Sequence, residues 1–276
     1  MPSVGHMMID SALVERVERS LASGLAALAR AIAERHPELR PTVVDVGTGQ
    51  AILFGPGMWV NRVVGLGLGG PVSDVEFDLI EDVFERAGLP VELDVSPWSH
   101  ASVLTGAATR GMSAQWFRSL LVRHVTGGDR QVTDCAVSVR PATGLGEWED
   151  VSAAGFEYDD AERRRANDIS AEAAGRLGDK LLVALFEGTP VGAGAIGVAD
   201  GVATLYGMST MPRARRSGVQ STLITARLDA ARAAGCDLAV SSALPGSASE
   251  RNLMRHGFEL IYTKLGLRST VIGARA

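Results

Sequence analysis

The chain has 276 residues, which is enough for one large domain or two of ordinary size. Hydrophobic residues make up 46% and charged residues 21%, a balance typical of globular proteins with well-formed cores. The formal net charge of -5 argues against a general nucleic-acid binder, because such proteins need a basic surface to neutralise phosphates.

The first half of the chain alternates predicted helices and strands. Apolar residues three or four apart predict a long helix from Ile9 to His36, ended by Pro37. Ser73 and Glu76 form a capping box for a second helix, and Gly88 is placed to end it. The other predicted elements are strands near Thr42–Val46, Gln50–Phe54, Val60–Leu66, Val91–Val95 and Gln115–Val125 and a helix near Ser99–Arg110. The glycines within Thr126–Arg130 indicate a linker.

The second half shows the same alternation. Two apolar runs, Leu181–Phe186 and Val191–Val198, flank a Glu-Gly-Thr-Pro turn and predict a hairpin. Ser247 and Glu250 form another capping box, for a short helix that Gly257 ends. The other predicted elements are strands near Val132–Val139, Val202–Thr210, Asp237–Ser241 and Phe258–Leu267 and helices near Glu147–Ala154, Ala161–Ala174 and Gly218–Ala234.

The two halves share an order of elements. Gly111 follows Gly88 by 23 residues (111 − 88), and Gly257 follows Gly235 by 22 (257 − 235). Each glycine is placed to end a helix, and a strand follows each one. We therefore predict two copies of one α/β unit, with domains at residues 1–128 and 129–276. Two unrelated α/β domains whose helices happen to end at similarly spaced glycines are the alternative.

Three arginines cluster where a strand gives way to a helix. Arg213, Arg215 and Arg216 stand between the strand that ends at Thr210 and the helix that begins at Gly218. A helix N-terminus offers free backbone N–H groups and the positive end of the helix dipole, which together favour a bound anion. The pattern indicates a phosphate-binding loop; a solvated basic loop is the alternative.

Arg215-x-x-Gly218-x-Gln220 resembles the acyl-CoA loop of the GNAT superfamily, and Arg255-His256-Gly257-Phe258 is similar to the end of that family's last helix. The resemblance covers about Val132–Leu267. It implies an α/β (α+β) fold of two GNAT-like domains, each with a mixed, mostly antiparallel sheet flanked by helices, the first of them degenerate. It also implies an N-acetyltransferase that uses acetyl-CoA as co-substrate.

The same resemblance implies roles for the loop. Backbone amides from Arg216 to Ser221 would hold the pyrophosphate, and backbone groups near Met208 and Thr210 would pair with the pantetheine arm. The implied cofactor-binding residues are Met208, Thr210, Arg215, Arg216, Ser217, Gly218, Val219, Gln220 and Ser221.

The sequence departs from the family where catalytic groups usually stand. Leu253 occupies the position of a common tyrosine acid, and Gly246 that of a common asparagine. The strand before the loop has no glutamate to act as base. Tyr206, Ser209 and Asn252 are nearby candidates, although packing or capping accounts for them equally well. The catalytic acid and base are therefore unknown from the sequence, and a non-catalytic acyl-CoA-binding module is the alternative function.

Gly65-x-Gly67-x-x-Gly70 in the first half has the spacing of a dinucleotide fingerprint. Pro71 and Val72 separate its last glycine from the helix, and it has no basic residue nearby. We interpret it as the degenerate counterpart of the Arg215–Gln220 loop. Trp59, Trp98 and Trp116 are expected to pack in the core or between the halves.

The expected acceptor is a small-molecule amine. The acidic stretches Glu147–Asp150 and Glu157–Asp160 would suit a cationic acceptor, or would simply be solvated helix ends. The spacing of the histidines, Cys135 and Cys236 predicts no metal site. We expect no nucleic-acid or membrane partner and a cytoplasmic location, because there is neither a signal segment nor an apolar run of ~18 residues. A homodimer is an open alternative.

Overall fold

The computed structural model describes residues 7–125 and 136–270. Within these ranges the helices are α1 Ser11–Arg35, α2 Asp74–Ala87, α3 Ser102–Thr109, α4 Leu145–Phe156, α5 Ala161–Arg176, α6 Val219–Ala233 and α7 Ala248–Arg255. The strands are β1 Thr42–Val46, β2 Gly49–Leu53, β3 Asn61–Val64, β4 Glu92–Val95, β5 Ser113–His124, β6 Val137–Pro141, β7 Lys180–Phe186, β8 Thr189–Ala199, β9 Val202–Thr210, β10 Leu238–Ala243 and β11 Glu259–Arg268. Short 3-10 turns at Pro37–Leu39 and Pro212–Ala214 were not predicted.

The strands form one sheet in the order β1-β2-β3-β4-β11-β5-β10-β9-β8-β7-β6. Two neighbouring pairs are parallel, β3 with β4 and β9 with β10, and the others are antiparallel. This mixed sheet agrees with the predicted fold class and excludes a continuous parallel nucleotide-binding sheet.

The two halves exchange their last strands. β11 from the second half pairs with β4 of the first, and β5 from the first half pairs with β10 of the second. The two exchanged strands also pair with each other at the centre of the sheet. The halves therefore share one sheet, and residues of β5 stand beside the end of β10.

Helices cover both faces of the sheet. α1, α4 and α5 lie on one face, where α1 packs against Leu120 and Val122 of β5. α2, α3, α6 and α7 lie on the opposite face, where Leu223 and Leu228 of α6 pack against the second half and Phe77 of α2 against the first. In the described ranges, no helix has both the length and the apolar composition needed to cross a membrane.

Most predicted elements are present with bounds shifted by a few residues. The repeat of strand, helix, strand, helix, strand occurs in both halves as β3-α2-β4-α3-β5 and β9-α6-β10-α7-β11. Ser73 and Glu76 form the predicted capping box. At Ser247 only half of the box exists, because the Glu250 carboxylate accepts from Gly246 N instead. The predicted linker Thr126–Arg130, and with it the boundary at 128/129, lies outside the described residues.

Candidate acyl-CoA site

β9 and β10 separate before β9 ends. They pair only from Val202 to Leu205, whereas β9 stays paired with β8 as far as Thr210. Met211 N donates to Val191 O on β8 at 2.8 Å, so the alternation of the strand turns the backbone groups of Thr210 to the other side. Beyond Leu205 this edge of β9 therefore has no strand partner among the described residues, as a ligand that adds like a further strand requires.

A bulge shapes this open edge. Ala193 pairs with Ser209 and Ala195 with Tyr206, which leaves two residues of β9 opposite one of β8. Gly207 occupies the bulge with φ of +58°, a region that glycine enters without strain. Trp148 of α4 lies against it on one face, and its Nε1 donates to Gly194 O at 3.3 Å.

Arg227 of α6 supports the bulge from the opposite face. Its side chain is 1% exposed, and it donates to Ala195 O at 3.5 Å and to Tyr206 O at 3.4 Å. Burial lowers the pKa of this guanidinium to about 9, which leaves it charged at neutral pH. It has no carboxylate partner in the part of the chain that is described. The bulge thus lies between an indole and a buried cation.

The loop before α6 presents free backbone donors. Arg216 and Gly218 have φ of +69° and +78°, and no side chain caps the helix. Among the described residues, no acceptor takes the N–H groups from Arg216 to Ser221. Six consecutive donors at a helix N-terminus form an anion-binding nest. The backbone here therefore suits a pyrophosphate.

Several side chains of the loop contact other parts of the chain, whereas the predicted cofactor contacts use its backbone. Arg215 forms an ion pair with Glu157 and its Nε donates to Thr210 O at 3.3 Å. Val219 is buried, and the Met208 sulfur contacts Arg227. Gln220 Nε2 donates to Ser249 Oγ at 3.2 Å, and Ser221 Oγ lies 2.6 Å from His256 Nε2. Ser217 is half-buried and Arg216 is exposed. The backbone of the loop and the exposed Arg216 side chain are therefore free for a ligand.

The corresponding place in the first half is closed. Ser99 Oγ donates to Leu66 O and His100 N to Gly67 O, both at 2.8 Å, so the chain after β4 fills the gap beside β3. At the start of α2, the Glu76 carboxylate accepts from Ser73 N at 2.6 Å. The first half thus supplies its own carboxylate where the second half leaves free N–H groups. This geometry agrees with the interpretation of Gly65–Gly70 as a degenerate loop.

Two of the three candidate catalytic side chains, Tyr206 and Asn252, are engaged elsewhere. The Tyr206 hydroxyl donates to Asp179, and burial followed by this carboxylate raises the pKa of the tyrosine well above 10. Burial also raises the pKa of Asp179. Asn252 donates to Gln220 and accepts from Arg255. Leu253 is fully buried. Tyr206, Asn252 and Leu253 therefore direct no proton donor into the gap between β9 and β10.

Ser209 lies directly under α4. Its hydroxyl is buried without a hydrogen-bond partner among the described residues. A Cβ on Gly155 would stand 2.7 Å from Ser209 Cβ and 3.0 Å from Thr210 N, so the helix backbone covers the serine. Gly155 therefore allows α4 to lie close to the open edge of β9.

The acidic stretches form helix caps and ion pairs. Glu147 accepts from Arg140 at 2.6 and 2.8 Å and from Thr143 N at 2.7 Å. These bonds, led by Arg140, lower the pKa of Glu147 to about 2. Asp160 caps α5 at Arg163 N. The alternative of helix-end residues therefore accounts for these carboxylates better than a cationic acceptor does.

Sequence reasoning missed Arg227, Trp148 and Asp179. Arg227 stands four residues after Leu223 and next to Leu228, on the buried stripe of α6. A charged residue on the apolar stripe of a helix indicates a buried charge with a special role, so the sequence did contain a signal for Arg227. Trp148 and Asp179 carry no such signal, because their roles depend on contacts across the sheet.

Comparison with known proteins finds a family match within the second half. The model of the acetyltransferase (GNAT) family matches residues 145–258. This match confirms the resemblance inferred from the Arg215–Gln220 loop and the Gly257-Phe258 pair. The match spans β9, the loop before α6 and α7, so the open edge and the free N–H groups belong to it. No protein of curated function matches the chain in sequence.

Solved structures show the same fold over nearly the whole chain. A GCN5-related N-acetyltransferase from Kribbella flavida is similar with a TM-score of 0.65 at 18% identity, covering 89% of this chain and 96% of that one. A tandem GNAT protein from the clavulanic acid biosynthesis pathway has a TM-score of 0.62 at 14% identity, covering 93% and 96%. A GCN5-related N-acetyltransferase from Sphaerobacter thermophilus has a TM-score of 0.57 at 15% identity, covering 94% and 93%. The chain therefore folds as two GNAT-like domains, a fold that supports acyl transfer.

Proposed function

We propose that this chain, whose residues 145–258 match the GNAT acetyltransferase family, is an N-acetyltransferase that uses acetyl-CoA to acetylate the primary amine of a small molecule. The observation that carries the proposal is the continuity of two ligand surfaces. The free N–H groups of Arg216–Ser221 suit a pyrophosphate, and the open edge of β9 leads away from them toward the bulge at Gly207.

The first half would not bind a second acetyl-CoA. Its gap beside β3 is filled by Ser99 and His100, and the N-terminus of α2 is occupied by Glu76. We therefore expect one acetyl-CoA per chain. Binding should raise the melting temperature by mass action, and Gly218→Trp should abolish that rise by placing a ring where the pyrophosphate is expected.

The reaction needs an amine to attack the thioester carbonyl carbon, after which the carbon–sulfur bond breaks and the thiolate takes up a proton. Orientation of the two reactants supplies much of the rate in such a transfer. Water is the proposed carrier of both protons, because Tyr206 and Asn252 are committed to Asp179, Gln220 and Arg255. Arg227 would hold the backbone that orients the thioester.

A specific observation favours a second candidate, the non-catalytic acyl-CoA-binding module. The buried Leu253 replaces a proton donor, and the Tyr206 and Asn252 side chains are engaged with other residues. The two functions are separated by measuring acetyl-CoA binding by calorimetry and thiol release on a broad amine panel. Binding with steady turnover supports the enzyme. Tight binding without turnover on any amine supports the module, and no binding refutes both.

A further inference from the structure

Two arginines meet over one indole ring on the face of the sheet that α1, α4 and α5 cover. The guanidinium carbon of Arg118, on β5, lies 4.5 Å from the ring centroid of Trp116. That of Arg62, on β3, lies 5.6 Å from the same centroid. The Trp116 ring covers Gly266 of β11, where a Cβ would overlap it. Two strands of the first half, β3 and β5, thus bring the two cations together across β4 and β11.

Neither arginine has a carboxylate partner in residues 7–125 and 136–270. Arg62 is 8% exposed; its Nη2 donates to Trp59 O at 2.8 Å, and its Nε is buried without an acceptor. Arg118 makes no hydrogen bond to the described residues. Burial, followed by repulsion from Arg62, lowers the pKa of Arg118. A buried cation beside a half-buried one, without an anion, is costly, and a bound anion relieves that cost.

The neighbouring carboxylates do not balance the pair. Lys264 Nζ lies 2.8 Å from Glu18 Oε2 and 3.4 Å from Asp94 Oδ2. With Arg62, Arg118 and the neighbouring ion pair of Arg268 and Glu92, these residues make four cations against three carboxylates, an excess of one positive charge. Asp94 and Glu92 attract Arg118 at longer range but form no ion pair with it. A single bound monoanion would neutralise the cluster.

The pair lies beside the proposed transfer site. Ser119 of β5 pairs with Ala243, the last residue of β10, and Arg118 is the next residue along β5 beyond that end. Because β10 leaves β9 after Leu205, Arg118 stands across the gap from the open edge of β9. Its side chain alternates with Ser119 and shares the face of Leu120, which packs with α1. The arginines therefore face the side opposite α6.

A row of aromatic side chains connects Arg62 to the segment that follows α4. Trp59, whose carbonyl holds Arg62, stacks on Tyr158 with centroids 5.2 Å apart, and Tyr158 stacks on Phe156 at the same distance. Phe156 and Tyr158 flank Glu157, the partner of Arg215. An aromatic row from the first half thus reaches the phosphate loop of the second.

We propose that Arg62 and Arg118 bind an oxyanion carried by the acceptor amine, a carboxylate or a phosphate. That the anion belongs to an acceptor amine rests on the proposed acetyl transfer. That an anion binds here rests only on the geometry of the two arginines. A planar guanidinium binds either group through paired N–H donors. The excess of one positive charge favours a carboxylate, as in an amino acid. The first half, although it has lost its cofactor loop, then selects the acceptor.

Thiol release from acetyl-CoA tests the pair through matched acceptors. Amino acids are compared with their amides, and O-phosphoethanolamine with ethanolamine. The full-length wild type should prefer the anionic member of a pair by roughly 10- to 100-fold in kcat/KM. Arg118→Gln and Arg62→Gln should remove that preference while leaving the amides or ethanolamine nearly unchanged. Preference for the amino acids identifies a carboxylate, and preference for O-phosphoethanolamine a phosphate.

The control is Arg268→Gln at the end of β11, where Arg268 lies 3.6 Å from Glu92 and is half-exposed. It removes a nearby positive charge without touching Trp116 and should keep the preference. Unchanged acetyl-CoA affinity and melting temperature verify that each variant is folded, and Arg118→Lys provides a milder change. Equal turnover of charged and neutral acceptors by the wild type would overturn the proposal.

A binding measurement separates this proposal from acetyl transfer. N-acetylglycine carries a carboxylate and no free amine, and N-acetylglycinamide is its neutral counterpart. Calorimetry should detect the acid, not the amide, with affinity lowered at least 10-fold in Arg118→Gln. That result supports the anion site even if no amine is acetylated. Equal binding of the two compounds, or of acid to wild type and variant, refutes the site whatever the turnover.

Discussion

Gly207 of β9 lies against the indole ring of Trp148, so close that a Cβ on the glycine would stand 3.2 Å from Cζ2 of the tryptophan. The glycine also has φ of +58°, in the left-handed region. Trp148 therefore fixes the bulge at the point where β9 presents its open edge. The indole on one face and Arg227 on the other leave this backbone a single arrangement.

Gly207→Ala should both destabilise the protein and weaken acetyl-CoA binding. Gly188→Ala is the matched control, because Gly188 has φ of +79° in a hairpin turn with no atom within 4 Å of its Cβ position. The backbone strain alone should cost about 1 kcal/mol in both variants. Gly207→Ala should lose more, and only it should lower acetyl-CoA affinity, as measured by urea unfolding and calorimetry. Equal losses in the two variants would contradict the role of Trp148.

The Glu157–Arg215 ion pair should compete with the cofactor. Its two side chains are half-exposed, so the pair contributes little to stability. Glu157→Gln should free Arg215 and raise acetyl-CoA affinity up to about fivefold. Arg215→Gln should lower affinity by about tenfold. Asp159→Asn, in the same loop, is the control, because Glu157 and not Asp159 is the described ion-pair partner of Arg215. An affinity that falls in Glu157→Gln would show that the carboxylate helps binding instead.

Tyr206→Phe and Asn252→Ala should each leave kcat within about threefold of the wild-type value. The hydroxyl proton of Tyr206 is directed at Asp179, and Asn252 is held between Gln220 and Arg255. Tyr206→Phe should instead lower stability by about 1 kcal/mol, because the half-buried Asp179 loses its donor. A fall in kcat of ~10²-fold with unchanged acetyl-CoA affinity would identify the altered residue as the proton donor.

Glu147 should make the free energy of unfolding depend on pH. Its pKa is about 2 in the folded chain, against a model-compound value of 4.5, chiefly because of Arg140. A carboxyl with a lowered folded pKa contributes stability above its unfolded pKa and loses it as the pH falls. The wild type should therefore exceed Glu147→Gln in free energy of unfolding above pH 4.5, and the difference should shrink between pH 4.5 and about 2. Urea unfolding across that range measures it, with exposed Glu15→Gln as control. A difference that stays constant would exclude this carboxyl as the cause.

The sequence determined the local structure well, because local structure depends on neighbours along the chain. The spacing of apolar residues predicted α1 and α2, and the glycines at 88, 111, 235 and 257 predicted where helices end. The arginine loop and the residues around Gly257 identified the acetyltransferase-like half, since backbone anion binding requires a particular strand, loop and helix order. The loss of charge at Gly65–Gly70 marked the degenerate half.

The tertiary structure alone decided which residues of different halves meet. The exchange of β5 and β11 joins the halves in one sheet. The sequence does not reveal this pairing, because strands pair through backbone hydrogen bonds that every residue type except proline can form. The exchange places Arg118 beside the end of β10, and Arg118 and Arg62 both lie over the ring of Trp116. The acidic stretches Glu147–Asp150 and Glu157–Asp160 allowed either a cationic acceptor or solvated helix ends. In the structure Glu147, Glu157 and Asp160 form ion pairs and a helix cap, whereas Arg62 and Arg118 have no carboxylate partner among the described residues. Long-range packing sets that balance, and no local pattern contains it.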